Sequence, residues 1–372
     1  MKLVDKLVLK DIVPWFFIGV GMFTALYFAL GAFIAASRFL SQGAPPLLIV
    51  QWMLYNTIPI LGKTFPMGML LAVLLGFGRL SGDSEAVALF AGGISFQRIA
   101  ATAAALGLVV SLAGWALNDP IASYASAQAL RIKTEAIDKP GDTKQTLNTD
   151  IQGGGDTITN LRVDNGYDAR TQSLRQVTLT IYNKARQPTV IIHADRAQAV
   201  KITGKDWTLY NVDIYRLGPA TIYAHSTHPI SSRALPTTAL QHSPDVFALL
   251  QSSPDNFSSG ELRHLIATLK REGLGNNRNA LDFEFNYWGR FSIPLASLIF
   301  AVVGAPLGLR PQRSAKLTGM ILALPLILGY YVLYTVMDNL TMGGRIAPFW
   351  AAFLPDIVGL ALGMWLVWRR SL

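Results

Sequence analysis

The sequence predicts a membrane α-helical bundle of six transmembrane helices with an inserted β domain, α+β overall. Three observations predict it. Of 372 residues, 51% are hydrophobic and only 15% are charged, against roughly a quarter charged in soluble domains. The long uncharged runs are confined to the two ends of the chain, three at each end. Between them lies a polar stretch in which apolar and polar residues alternate with the period of a strand.

A membrane span needs about 20 mostly apolar residues. Residues 12–37 hold no charge, 47–78 hold only Lys63, and 99–117 hold none; at the other end, 291–309 and 317–337 are uncharged and 346–368 holds only Asp356. The 12–37 run exceeds the 7 to about 15 residues of a signal-peptide core, so it reads as an uncleaved anchor. The 47–78 run is too long for one crossing at 1.5 Å per residue, which predicts a break near Pro59. Orientation follows from the bias of Lys and Arg toward cytoplasmic loops. Ten basic residues, at 2–10, 79–98, 310–316 and 369–370, lie on the side of the N-terminus, against Arg38 and Arg345 in the opposite short loops. Both termini are therefore expected inside, with everything between spans three and four outside.

That outer segment reads as an antiparallel β domain. Residues 177–182, 189–193, 197–202 and 207–215 alternate, with turn residues at 153–155, 164–166 and 204–206. A helix follows: Ser258 and Glu261 have capping-box spacing, Leu262, Leu265, Ile266 and Leu269 form one stripe, and Gly273 marks the stop. The resulting organisation is 1–118 for helices one to three, with a short helix at 83–91, then 119–257 for the β domain, 258–285 for the amphipathic linker helix, and 286–372 for helices four to six.

The chemistry-bearing motifs are few. The chain has no cysteine, which excludes thiolate nucleophiles and cysteine metal sites. Leu61-Gly-Lys-Thr64 ends like a phosphate-binding loop, but position 57 is Thr where a Gly is needed and no strand precedes it. No nucleotide cofactor is expected on this chain. The five histidines lack metal-ligand spacing, so no metal and no catalytic residue is expected. Lys63 inside a span, and Arg38 at the end of span one, read as contacts for an anionic substrate group, or else as side chains snorkelling to the interface. Asp356 either pairs with a cation or sits near the headgroups. Gly304 with Gly308, and Gly359 with Gly363, have the spacing that lets helices approach closely.

The segment 79–95 reads as a short helix from Asp83 to Ala91, stopped by Gly92-Gly93 and restarted at Ser95. A helix projecting between two spans is a docking surface for another protein.

This segment, Gly78-Arg-Leu-Ser-Gly-Asp-Ser-Glu85 followed by Ala91-Gly-Gly-Ile-Ser95, resembles the LptF/LptG (YjgP/YjgQ) permeases of the lipopolysaccharide export ABC transporter. Phe65-Pro-Met67, Arg290-Phe-Ser-Ile-Pro294, Gly304-Ala-Pro-Leu-Gly308 and Arg310-Pro-Gln-Arg313 extend the resemblance over nearly the whole chain. It implies a periplasmic β-jellyroll between two sets of three spans, in the inner membrane. It also implies a non-enzymatic permease whose partners are a dimer of ABC ATPase subunits, a second permease (identical or paralogous), a periplasmic jellyroll bridge protein and lipopolysaccharide or a related lipid. Because the basic excess lies chiefly in the short segments on one side of the spans, no nucleic-acid partner is expected. The helix 83–91 matches the family's coupling helix, with Asp83, Ser84 and Glu85 at the ATPase; Arg38 matches a basic residue that contacts lipid phosphates, and Lys63 one within a turn. Two positions depart from the family: Asn is common where Asp356 stands, and a carboxylate stands where this chain has Asn286. Two other classes compete, a glycolipid-modifying membrane enzyme and an envelope scaffold without transport; the first needs convergent catalytic carboxylates or histidines, which the sequence does not display.

Overall fold

The computed structural model describes residues 3–134, 147–152, 158–164, 167–168, 171, 173–200, 206–218, 220–237, 240, 242, 244–250, 252–309 and 315–371. The expected turn residues at 153–155, 165–166 and 204–205, and the motif at 310–313, lie outside these. The chain forms two compact units, one of residues 1–137, 255–259 and 285–372, the other of 138–254 and 260–284.

The first unit is helical. Helices α1 (Leu3–Tyr27) and α2 (Phe33–Ser41) are joined by a π-helical turn at Phe28–Ala32, then come α3 (Pro46–Gly82), α4 (Glu85–Ala91) and α5 (Phe96–Ala116). A second π turn, Leu117–Ile121, leads into α6 (Ala122–Ile132); α10 (Ala315–Met342) and α11 (Pro348–Ser371) close the chain. Between them, α9 (Arg278–Gly308) belongs to this unit from Phe285 onward. Six helical stretches among the described residues are long and apolar enough to cross a membrane: Val4–Ser41, Pro46–Gly82, Phe96–Ile132, Arg278–Gly308, Ile321–Met342 and Pro348–Arg369.

Helix α3 is the bundle's axis. From Gly68 to Gly78 every residue is buried, as a helix apolar on all sides requires. The break expected at Pro59 does not occur: α3 runs unbroken for 37 residues with Pro59 and Pro66 inside it. A proline removes one N–H, and neighbouring helices tolerate the loss in a bundle. The unbroken helix is about 55 Å long, so it outreaches the roughly 30 Å of hydrocarbon. The π turn at 117–121 has a local cause, since Pro120 cannot donate to Ala116 and the backbone widens around it.

Both glycine pairs sit at close helix contacts. A Cβ on Gly308 would lie 2.9 Å from Phe77 Cβ on α3, and one on Gly304 3.0 Å from Val73 Cγ1. On α11, Gly359 faces Ile299 and Gly363 faces Val302 and Val303, all on α9.

The second unit holds one antiparallel sheet. Its strands are β1 (Leu147–Gln152), β2 (Ile158–Val163), β3 (Tyr167–Asp168), β4 (Ser173–Tyr182), β5 (Pro188–Ala199), β6 (Trp207–Arg216), β7 (Ile222–Ser226) and β8 (Ile230–Ser231). They pair in the order β1-β2-β4-β5-β6-β7, with β3 on β4 and β8 on β6. The two short stretches expected at 189–193 and 197–202 are one continuous strand through Ala199. One face carries Val177, Leu179, Ile192, Ala194 and Val212, all buried. Gln176 (φ 53°) and Asn211 (φ 54°) drop out of the ladder at the level of Asp195, an irregularity of the kind that bends a sheet. Trp207 is fully buried, its ring edge-on to Phe247 of α7 (Pro244–Leu250) and its Nε1–H donating to the His242 carbonyl at 3.0 Å. Helix α8 (Ser259–Arg271) lies in this unit from Gly260, buries the expected stripe Leu262, Leu265, Ile266 and Leu269, and stops at Gly273 with φ +77°.

Candidate functional site

Inside the helical unit, a cavity of about 220 Å³ opens among α3, α6, α9 and α10. One water needs only about 10–15 Å³ of such space, so several waters or one small anionic group fit. Lys63 lines it from α3, Asn118 from the π turn, Asn286 and Arg290 from α9, and Tyr331 and Tyr334 from α10.

Two of these groups fix the walls. Tyr331 donates its hydroxyl to the Lys63 carbonyl at 2.8 Å, tying α10 to α3. Arg290, only 8% exposed, donates to Asp119 Oδ1 at 3.0 Å, to Ser259 Oγ at 3.4 Å and to the Phe257 carbonyl. The same Asp119 oxygen accepts the Ser259 N–H at 2.8 Å. Arg290 is thus neutralised by Asp119 and held by three protein acceptors, whereas the half-buried Lys63 ammonium has no partner among the described residues.

The expected pair is not brought together. Arg38 is exposed on α2, makes no side-chain hydrogen bond or ion pair among the described residues, and does not line the cavity. Asp356 is 3% exposed and accepts the Tyr330 hydroxyl at 3.0 Å, with no cation beside it among the described residues. Sequence reasoning missed Arg290 because it falls just ahead of the uncharged run. The signal available was Asp119, a lone carboxylate at the matching end of span three.

At the other end, Ser84 sits in the left-handed region (φ 60°) and turns the chain from α3 into α4. The helix begins at Glu85, two residues later than expected, because Asp83 still caps α3. Ala86 is buried beneath α4 while Val87 and Phe90 are exposed on it.

In the sheet unit, Thr178, His193, Asp213 and His225 stand opposite one another across β4, β5, β6 and β7. His193 bonds to Thr178 at 3.1 Å; Asp213 Oδ1 accepts from His225 Nδ1 at 2.7 Å and from the Tyr223 hydroxyl at 2.8 Å. Hydrogen bonds from His225 and Tyr223 hold the Asp213 carboxyl below its ordinary 3.8.

Six helical stretches long and apolar enough to cross a membrane, with a separate antiparallel sheet unit, fit a multi-pass membrane protein. The family model of the lipopolysaccharide export system permease LptF/LptG matches residues 6–369. The chain belongs to that family, whose members are inner-membrane transport permeases working in lipopolysaccharide export. It is 24% identical over 310 residues, 82% of this chain and 81% of the relative, to the lipopolysaccharide export system permease protein LptG of Escherichia coli strain K12. The LptG of Escherichia coli O6:H1 gives the same figures.

Proposed function

We propose that the chain is one permease subunit of an ABC transporter that extracts lipopolysaccharide, or a related anionic glycolipid, from the inner membrane and passes it to a periplasmic bridge. The observation that carries this reading is the unpartnered Lys63 ammonium in a cavity within an apolar bundle. A cation placed there is costly unless an anion meets it, and the phosphates of a glycolipid are such anions. Arg38, exposed near the end of the first span, is the second lipid-phosphate contact.

ATP hydrolysis resides on a separate dimer of ATPase subunits. It docks on the α4 segment through Asp83, Ser84 and Glu85, with exposed Val87 and Phe90 beside them. A second permease, the same chain or a paralogue, completes the membrane part. Both termini are cytoplasmic, and the sheet unit, residues 138–254 and 260–284 rather than the 119–257 expected because 119–132 continue the third helical stretch, is a periplasmic domain whose bent sheet is a jellyroll that hands lipid to the bridge protein. Support comes from the family membership, the ten-to-two distribution of basic residues and the ladder irregularity at Gln176 and Asn211.

Purification from native membranes in gentle detergent tests the proposal. The expected result is a co-purifying ATPase stimulated by added lipid, with lipopolysaccharide in the mass spectrum of retained lipid. Retention of ordinary phospholipid alone, or no ATPase, overturns it.

A further inference from the structure

The two spans that flank α4 are each tied to α1 by an ion pair, and the pairs sit at the roots of α4. Near the end of α3, Arg79 donates through Nη1 to Asp11 Oδ1 at 3.0 Å and through Nε to Asp83 Oδ2 at 3.4 Å. At the start of α5, Arg98 meets the Asp5 carboxylate at 2.7 Å, and Thr102 donates to it at 2.8 Å. Asp11 is only 4% exposed. A carboxylate so buried is costly unless paired, so its placement against Arg79 is specific.

Asp5 and Asp11 are about 9 Å apart along α1 and point to different sides of it, so each reaches a different neighbour. Between the two pairs, Ala86 and Leu89 of α4 pack in one apolar cluster with Val4, Leu7, Val8 and Ile12 of α1. The two spans on either side of α4 are therefore both pinned to α1, and α4 shares an apolar cluster with it.

We propose that Asp5 and Asp11 are positioning residues that tie α1 to the ends of α3 and α5 that carry α4, making one rigid lever, so that a push on α4 is delivered through these two pairs to α1 and along it toward Arg38. The lever is a property of this chain alone; only its driving by an ATPase rests on the function proposed above.

The absence of cysteine makes the lever measurable. Cysteines introduced at Lys6 and Val87, both exposed, carry spin labels in the full-length protein in lipid nanodiscs. The parent should give one narrow distance distribution, and the D5N/D11N variant a broadened one. An unchanged distribution in that variant overturns the lever.

A second arm uses unlabelled protein with the co-purified ATPase. D5N/D11N should retain the ATPase in full while lipid-stimulated hydrolysis falls about tenfold, within the usual 5- to 150-fold range of coupling between sites. D11N and R79Q should be non-additive in that readout, and the loss of stimulation should appear at temperatures where detergent unfolding shows each variant as folded as the parent, which mere stabilisation of the bundle does not produce. Unchanged hydrolysis, or additivity, overturns the transmission. Should the parent bind no ATPase, the docking reading fails, and the label distances still decide the lever.

Discussion

Arg290 on α9 and Asp119 in the π turn after α5 meet at 3.0 Å, with the guanidinium side chain 9% and the carboxylate side chain 27% exposed. The pair joins two helical segments and, through Phe257 and Ser259, holds the residues that lead into α8 and its first residue. Removing one partner of a buried pair costs about 3–5 kcal/mol, and the partial exposure of Asp119 reduces this to about 2–3 kcal/mol by solvent screening. R290Q and D119N should each lose that much in detergent unfolding followed by tryptophan fluorescence. R290K should recover less than half, since a point charge cannot reach all three acceptors. Parent-like unfolding of both neutral variants would discard the node.

Helix packing makes a second prediction. An alanine at Gly308 must displace Phe77 Cβ and the Val73 carbonyl, while one at Gly21 meets nothing within 4 Å. Overpacking costs about 1–3 kcal/mol, whereas Gly→Ala in an unobstructed helix gains up to about 1 kcal/mol. G308A should therefore unfold earlier than the parent and G21A no earlier, in the same detergent assay. Equal midpoints for the two variants contradict the close α9–α3 contact.

How much of this was legible in the sequence depends on the range of the interaction concerned. Span count and the strands were legible because each reports a local period, and the glycine pairs because spacing alone fixes which residues share a helix face. The continuity of α3 through Pro59 was not, since whether a bundle tolerates a missing N–H depends on neighbouring helices. The same holds for the cavity. Lys63 was visible as a charge in an apolar run, but Arg290 and Asp119 are 171 residues apart, and no local pattern pairs them. Arg38 shows the converse: read at the end of span one either as a second contact for an anionic group or as a snorkelling side chain, it is exposed and away from the cavity.

Ser84 carries a strain that a substitution can relieve. A non-glycine residue at φ 60° costs about 1–2 kcal/mol, and a β-branched one more. S84G should slow hydrogen exchange of the α4 amides, residues 85–91, and S84V should speed it by destabilising the turn further. Indistinguishable exchange in the two variants would remove the turn's role in setting α4.

The Asp213 row makes stability depend on pH. Its carboxyl is held below 3.8 by the His225 and Tyr223 hydrogen bonds, so the folded state binds its proton less readily than the unfolded chain. The contribution is fully present above 3.8 and is lost as pH falls through the lower folded value. Hydrogen exchange of the β6 and β7 amides should accelerate over that acid window in the parent, and D213N should flatten the dependence. A D213N profile parallel to the parent's would assign the acid response elsewhere.

Lys63 and Arg38 should differ in how salt affects them. Screening shortens from about 10 Å at 0.1 M to about 3 Å at 1 M and acts mainly on exposed charges. Lys63 is half-buried in a cavity and Arg38 is exposed on α2. With retained glycolipid quantified by mass spectrometry, K63M should lose lipid about equally at both ionic strengths. R38Q should lose it at low salt and match the parent at high salt, because the parent's own Arg38 contact is by then screened. If the two variants share one salt dependence, the cavity does not distinguish Lys63 from a surface charge, and anion binding there is wrong.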